Sequence, residues 1–359
     1  MTTQPLSEAR VRAGTLSAYL TSADHERALA MRARIGAVTL SGESGLRALQ
    51  TLARTMSLED FDLDPAQYAV NPKKHAQAAL IDIDWEAAQR GLGLPVVRSA
   101  GIAVRKDDHE QLRAAMRTPI SPGSRRLVSL HSSWLRGPAL PVAIAAVRNS
   151  DDPLSFVFAD LFDPFGGAGA VDGLQYLLAA ASAPERPVEL LRTDTQAIPF
   201  ALAGGARGAI GLTSQGRHHP LPFSSKLKKE HDDRQRSAWL WLPELLGWQR
   251  GTTLGAIEPF PEIGLADCPC PPCDGEPLSV YAREWPGQVP QKVRERLQDH
   301  DADRWMTTFN RLRATSDPLQ SWAAACARAV RVEAELVSEY KISALRVPTS
   351  IAQWAVETS

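Results

Sequence analysis

The sequence predicts an α/β protein built as a TIM-like (β/α)8 barrel with a C-terminal zinc-binding subdomain. Short apolar runs alternate with amphipathic stretches at a spacing of about 25 to 35 residues, which is typical of repeated βα units. Several of these runs end in an acidic or polar residue followed by a Gly or Pro loop, the position at which barrel active sites are built. Three of the four cysteines lie within six consecutive positions, residues 268–273.

The composition is that of a globular protein. Of its 359 residues, 44% are hydrophobic and 23% are charged, and the formal net charge is −1. These values exclude a disorder-like bias and allow a large core. The sequence contains no apolar run of about 18 residues and no export signal, and four cysteines are too few for a disulfide scaffold. We therefore expect a cytoplasmic protein that does not associate with a membrane.

The predicted elements follow in order along the chain. Residues 1–70 form the first segment of the barrel, with helix over residues 7–35 and a short strand over residues 37–42. Residues 71–255 form the barrel body. The strands predicted there, each apolar enough to be buried on both faces, lie at residues 78–84, 94–104, 126–132, 154–162, 187–194 and 206–214. The amphipathic stretches between them predict helices at residues 107–118, 137–150, 170–184 and 195–206.

Residues 220–250 are predicted to be a charged, Trp-rich insertion in the barrel body. Its basic residues Lys226, Lys228, Lys229 and Arg234 precede three tryptophans. A basic face beside aromatic side chains would contact phosphates and stack bases. The alternative is a solvated charged helix followed by tryptophans that face the core. Residues 256–359 would form the zinc-binding subdomain and the C-terminal helices.

The cysteine cluster predicts a structural zinc site. Cys268, Cys270 and Cys273 form C-x-C-x-x-C, too tight for independent disulfides but suited to placing three thiolates around one ion. Zinc takes four such ligands in a tetrahedron. His300 is the predicted fourth ligand, because Cys326 lies in an apolar helical stretch where a buried thiol is expected.

Three aspartates are the candidate catalytic residues. Asp160, Asp163 and Asp194 each follow a predicted strand. In a barrel these positions converge at the carboxyl-terminal mouth, where carboxylates perform acid and base chemistry. The alternative at each position is that the aspartate only caps the following helix.

The zinc segment resembles the tRNA-guanine transglycosylase family. The resemblance lies in C-x-C-x-x-C, in the histidine that follows after 26 intervening residues, and in the approach "IEPFPEIGLADCPCPPC". Asp301 stands where the family has Asn. The family exchanges a guanine in RNA for a 7-deazaguanine, and its barrel carries a zinc subdomain near the C-terminal end. The resemblance thus implies a barrel, a structural Zn²⁺, pairing through the zinc region and a nucleic-acid substrate.

Two acids that the resemblance implies are missing. Arg98 in "RSAGIAV" stands at the acid position of the family's D-S-G-G-F segment, and "GAIGL" around Ile210 has no carboxylate where the family has its nucleophile. Asp160 in "FVFADLFDP" matches the acid that recognises the base, which leaves Asp163 or Asp194 for acid and base chemistry. Arg98, Arg217 and His218 would give the mouth a positive character that suits phosphates.

Three functions are compatible with these residues. The first is a transglycosylase-like protein that acts on or binds tRNA or DNA, by base exchange or base recognition. The second is a non-catalytic, zinc-stabilised barrel that serves as a nucleic-acid-binding or partner subunit. The third is an unrelated barrel enzyme with a small anionic substrate. The family's pairing implies a homodimer, and the second of these functions implies a heteromeric partner.

Overall fold

The computed structural model describes residues 14–21, 24–69, 83–160, 163–183, 186–217, 219, 236–257, 259–260 and 268–356. The chain divides into two compact units, Met1–Ser224 and Ser225–Ser359. The division comes earlier than the predicted boundary between residues 255 and 256. The described part of the Trp-rich segment therefore belongs to the same unit as the cysteine cluster rather than to the barrel body.

The first unit contains an eight-stranded parallel sheet. Its strands are β1 (Leu16–Leu20), β2 (Val38–Ser41), β3 (Phe61–Asp64), β4 (Ile102–Val104), β5 (Arg126–His131), β6 (Leu154–Ala159), β7 (Val188–Thr193) and β8 (Ala206–Gly211). They are hydrogen-bonded in the order β3-β2-β1-β8-β7-β6-β5-β4. This is the cyclic order of a (β/α)8 barrel with β3 and β4 at the two ends. The sheet curls into an α/β barrel-like fold, as the sequence predicts at this coarser level.

Helices follow most of the strands. They are α1 (His25–Ile35), α2 (Gly42–Leu52), α3 (Trp85–Gly91), α4 (His109–Arg117), α5 (Ala139–Arg148), α6 (Ala170–Ala181), α7 (Ala197–Leu202) and the single turn α8 (Ser214–Arg217). The N-cap residues of α1, α3 and α4 are Asp24, Asp84 and Asp108. The side chain of each accepts a hydrogen bond from the backbone N–H three residues later. Such caps satisfy amides that the first helical turn leaves unpaired.

The first strand differs from the prediction. The sequence predicts helix throughout residues 7–35, whereas Leu16–Leu20 form β1 and α1 begins only at His25. All five residues of β1 are buried. A strand buried on both faces shows no alternation, so its pattern does not distinguish it from a helical segment. The strand predicted at residues 78–84 lies mostly outside the described residues, and Asp84 at its end caps α3.

The inner face of the sheet carries a charged layer. Arg98, Arg125 and Arg207 meet Glu189 and Asp62, and all five side chains are buried. Two residues further along the strands, towards their carboxyl ends, the inward side chains become mostly apolar. This second layer holds Tyr19, Leu127, Val157, Leu191 and Ala209 of the strands, and Tyr68 from the turn after β3 packs with them. The charged layer and the mostly apolar layer fill the interior between the strands. Side chains that could contact a substrate therefore lie beyond them, at the carboxyl ends of the strands.

The second unit combines short antiparallel strands with long helices. β9 (Arg236–Ser237) pairs with β12 (Glu284–Trp285), and β10 (Trp239–Leu242) pairs with β11 (Gly247–Arg250). The helices are α9 (Gly251–Leu254), α10 (Gln291–Arg313), α11 (Pro318–Ser338) and α12 (Thr349–Val356). Trp241 is fully buried, as the core-facing alternative predicts, whereas Trp239 on the same strand is 43% exposed. Within the described part of the chain, no helix is both long and apolar enough to cross a lipid bilayer.

Candidate metal centre and carboxylate site

The three clustered cysteines and His300 come together in the second unit. The cysteines lie on a tight turn in which the Cys273 N–H donates to the Cys270 carbonyl over 3.0 Å. His300 lies in the middle of α10. Its Nδ1 is 3.4 Å from the sulfurs of Cys268 and Cys270 and 3.3 Å from that of Cys273. The four ligand atoms all lie within 4.8 Å of one another, and all four residues are buried. The predicted set of metal ligands is thus brought together.

The spacing of these atoms fits a tetrahedral ion. Bonds of about 2.3 Å to sulfur and about 2.0 to 2.1 Å to nitrogen place a sulfur and a nitrogen about 3.6 Å apart at the tetrahedral angle. The observed separations of 3.3 to 3.4 Å are close to that value. The Nε2 of His300 lies 3.0 Å from the Trp241 carbonyl, to which it donates, so its Nδ1 lone pair faces the sulfurs.

Two side chains of α10 hold the centre in place. Arg296 donates to the carbonyls of Pro272 and Cys273 over 2.8 and 2.6 Å, which ties the cysteine turn to the helix. Asp301 accepts from the Trp241 N–H over 2.7 Å and from the Trp248 indole over 2.9 Å. Asp301 therefore anchors the β10-β11 hairpin beside His300. Such contacts orient the ligands of a metal.

Asp194 and Asp163 form a carboxylate pair at the carboxyl end of the sheet. Asp194 directly follows β7 and is 6% exposed, and its Oδ1 accepts from the Gln196 N–H over 2.9 Å. Asp163 follows β6, and its Oδ1 accepts from the Phe165 N–H over 2.8 Å. Burial, and then the charge of Asp163, raise the pKa of Asp194 to about 7. A carboxyl group with this pKa is present in both protonation states near neutral pH.

Asp160 lies at the end of β6 and belongs to a second polar group. It accepts a short hydrogen bond from the Ser132 hydroxyl. His131 is the last residue of β5. Burial lowers the pKa of its imidazole, and the nearby charge of Asp160 offsets this only in part. The three predicted catalytic aspartates thus all lie at the carboxyl ends of β6 and β7.

The predicted nucleic-acid contacts have different outcomes. Arg98 lies at the opposite end of the sheet, before β4, with its guanidinium fully buried against Glu189. A side chain enclosed in this way cannot reach a phosphate, so the role predicted for it is wrong. Arg217 is also buried, and its Nη1 lies 3.3 Å from the Gly211 carbonyl. Outside the described residues lie His218, Lys226, Lys228, Lys229 and Arg234, and their roles stay predictions.

Sequence reasoning missed a cluster around Asp64 at the end of β3. Its Oδ2 accepts from the hydroxyls of Tyr19 and Tyr68, each over 2.6 Å, and its Oδ1 accepts from the Ala66 N–H. His219 packs edge-on against Tyr68 with 5.1 Å between the ring centroids. Burial, and then the charge of Arg192, lower the pKa of His219 to about 3, so its imidazole is neutral. The available signal was "FDLDP", in which polar and apolar residues alternate and the second acid stands directly before a proline.

Compared with protein-family models, with curated proteins and with solved structures, the chain shows no match. Fold and site alone therefore define the class to which this protein belongs. It is an α/β barrel-like protein with acidic side chains at the carboxyl end of its parallel sheet. Its second unit carries a buried Cys3His cluster that is able to bind a metal ion.

Proposed function

We propose that this protein is a zinc-stabilised barrel enzyme that acts on a base in tRNA or DNA by transglycosylase-like base exchange. The observation that carries the proposal is the pair of Asp163 and Asp194 at the carboxyl end of the sheet, where burial and the second carboxylate raise the pKa of Asp194 to about 7. Catalytic groups are the ones that need such values, and barrel enzymes place them at this end of the strands.

Each aspartate has a role in this chemistry. Exchange of a base breaks the bond between the anomeric carbon of the sugar and a ring nitrogen of the leaving base, and forms the same bond to a ring nitrogen of the incoming base. The leaving base must therefore take up a proton, and the incoming base must lose one. Protonated Asp194 supplies that proton and, once ionised, removes one from the incoming base. The charge of Asp163 adds to the effect of burial, which is the larger cause of the raised pKa of Asp194. Asp160, which Ser132 orients, contacts the base or the sugar.

The metal in this proposal is a structural Zn²⁺. Three sulfurs and one imidazole nitrogen are the donors of a structural zinc site, and they fill a tetrahedron without leaving a position for substrate. The ligand set is buried and preformed. Zinc here stabilises the second unit and takes no part in base exchange.

The sheet of the first unit closes into a full barrel in this proposal. β3 and β4 are the two ends of the strand order, and two contacts already bridge the segments beside them. The Gln67 N–H donates to the Ala100 carbonyl over 3.2 Å, and Arg98 donates to the Leu63 carbonyl over 2.9 Å. Arg98 also crosses the interior to Glu189 of β7, a contact that a flat sheet would not allow.

Incorporation of labelled base tests this function. Purified protein is incubated with tRNA or with DNA and with radiolabelled guanine or a labelled 7-deazaguanine, and label in the polymer is counted. We expect incorporation into one of the polymers, and a loss of about 100-fold or more in Asp194→Asn, the size typical of a general acid. Asp172→Asn, which changes an exposed aspartate of α6, is the matched control. Incorporation that is equal in Asp194→Asn and the wild type would remove the proposed role.

A non-catalytic nucleic-acid-binding or partner subunit is the second candidate. It is favoured by β8, whose inward positions are Arg207, Ala209 and Gly211 and offer no carboxylate that could act as the nucleophile. This candidate predicts binding of tRNA or DNA without incorporation of label. It also predicts that Asp194→Asn binds as tightly as the wild type.

A further inference from the structure

A partly exposed arginine, Arg136, lies at the carboxyl end of the sheet near the carboxylate pair. It follows β5 and the 3-10 turn Ser132–Leu135. Its guanidinium packs on Gly167 in the loop between β6 and α6, so closely that a Cβ added to Gly167 would lie 2.5 Å from the Arg136 Cζ. A Cβ added to Gly166 would lie 3.2 Å from Oδ2 of Asp163. Adjacent residues of one loop therefore contact the guanidinium and the carboxylate pair.

The backbone that carries Arg136 is fixed on two sides. The carbonyl of Leu135 packs on Gly173 of α6, where an added Cβ would lie 2.8 Å from the Leu135 carbonyl carbon. On the other side, the Trp134 indole N–H donates to the Arg105 carbonyl over 2.9 Å, which ties the turn to the loop after β4. The turn is thus held in place before a ligand arrives, which lowers the entropic cost of binding.

The guanidinium of Arg136 is available to a ligand. Within the described part of the chain, its side chain forms no ion pair and no hydrogen bond. Burial is the main cause that lowers the pKa of His131, and the charges of Lys106 and Arg136 lower it further, so both cations lie near this ring. Asp160 and Asp107 raise that pKa, but neither lies within ion-pair distance of Arg136. A planar guanidinium presents a fork of N–H donors that matches the oxygens of a phosphate.

We propose that Arg136 binds a phosphate of the polymer substrate and thereby positions the adjoining nucleotide at the pair of Asp163 and Asp194. Base exchange leaves every phosphodiester bond intact, so this contact takes no part in bond breaking. It acts by holding the sugar where the carboxylates can reach it. The inference rests on the proposed function in taking tRNA or DNA as the partner and the carboxylate pair as the reacting site. Arg136 is a positioning residue in this proposal.

Fluorescence anisotropy in a salt series tests the contact. The probes are fluorescein-labelled tRNA and a fluorescein-labelled DNA duplex. Arg136→Gln is expected to weaken binding about tenfold, the effect of losing one charged hydrogen-bonded contact. It is also expected to reduce the slope of log K against log salt by about 0.7 to 0.9, the contribution of one phosphate. Arg136→Lys keeps the charge and is expected to keep the slope, with a smaller loss of affinity because it lacks the planar fork.

A matched control and a second readout separate this contact from general effects. Arg148→Gln removes an exposed charge at the end of α5, just before β6 begins and thus at the opposite end of the sheet, and is expected to bind like the wild type. Melting temperatures show that each variant is folded. In the incorporation assay, Arg136→Gln is expected to raise the KM for the polymer and to leave the KM for the free base unchanged, because only the polymer carries the phosphate.

The outcomes distinguish this inference from the proposed function. A wild type that binds a probe, with Arg136→Gln matching it in affinity and salt slope, overturns the phosphate contact alone. Weaker binding by Arg136→Gln with an unchanged salt slope also overturns it, because the arginine then acts through the fold. A wild type that binds neither probe overturns the contact and the nucleic-acid function together. A reduced slope in Arg136→Gln without base exchange by the wild type supports the contact and overturns the catalytic proposal.

Discussion

The charged layer inside the first unit predicts an unequal response to two substitutions. Arg98 donates to both carboxylate oxygens of Glu189, over 2.8 and 2.7 Å, and Arg125 reaches the same carboxylate at 3.1 Å. Arg207 pairs with Asp62. Three buried cations thus meet two buried anions, which leaves one excess positive charge.

The magnitude follows from what each variant leaves behind. Breaking a buried ion pair by removing one partner costs about 3 to 5 kcal/mol. Arg98→Met leaves two cations with two anions, so its cost is expected to be about 3 kcal/mol. Glu189→Gln leaves three guanidiniums with Asp62 alone, and its cost is expected at about 5 kcal/mol or more. Because the layer has one more cation than anions, Glu189→Gln is expected to cost more stability than Arg98→Met.

Urea unfolding at neutral pH measures both costs. Asp60→Asn is the matched control, because it breaks a pair with Arg32 in the same unit whose side chains are 37% and 34% exposed. Such surface pairs contribute about 1 kcal/mol or less. The reasoning is refuted if Arg98→Met lowers the free energy of unfolding more than Glu189→Gln does, or if Glu189→Gln costs no more than the control.

The same layer predicts how acid acts on the protein. Although burial raises the pKa of Glu189, Arg98 and Arg125 lower it more, so its folded value lies below the unfolded value. Its contribution is therefore complete above the unfolded pKa of about 4.3 and is lost as the pH falls towards the folded value. The difference in unfolding free energy between the wild type and Glu189→Gln is expected to shrink below about pH 4.

Two further predictions concern the metal centre and the carboxylate pair. Cys270→Ser is expected to release the metal and to lower the melting temperature of the second unit by about 10 °C or more, because structural zinc contributes folding energy directly. Cys326→Ser changes a cysteine outside the cluster and is the control that retains the metal. A Cys270→Ser protein that keeps its zinc and its full stability would contradict the assignment. The pKa of Asp194 is raised to about 7, above its unfolded value of about 3.9, so the wild type is expected to lose up to about 1.4 kcal/mol of stability per pH unit between these values. Asp194→Asn should remove this slope and exceed the wild type in melting temperature at pH about 8, whereas parallel pH profiles of the two proteins would count against it.

The sequence by itself determined the local features of this protein. The repeated apolar runs predicted β5 to β8, because short apolar runs between amphipathic stretches are typical of strands buried in a parallel sheet. C-x-C-x-x-C predicted the metal ligands, because three thiols at this spacing must face one another on a turn. His300 was predicted as their partner, and α10 places it there.

The tertiary structure alone decided which polar side chains face the interior and at which end of the sheet each of them lies. Arg98 and Asp160 both look like mouth residues in the sequence, yet Arg98 precedes its strand and Asp160 follows one, which places them at opposite ends. Asp64 is marked as a candidate by the hydrogen bond that the Tyr68 hydroxyl donates to it. A charge in a sequence does not reveal its partners, because those partners come from distant strands, as Glu189 does for Arg98 from 91 residues away. The burial and the pKa of such a side chain depend on the strands that pack around it, and the residues next to it in the sequence do not specify those strands.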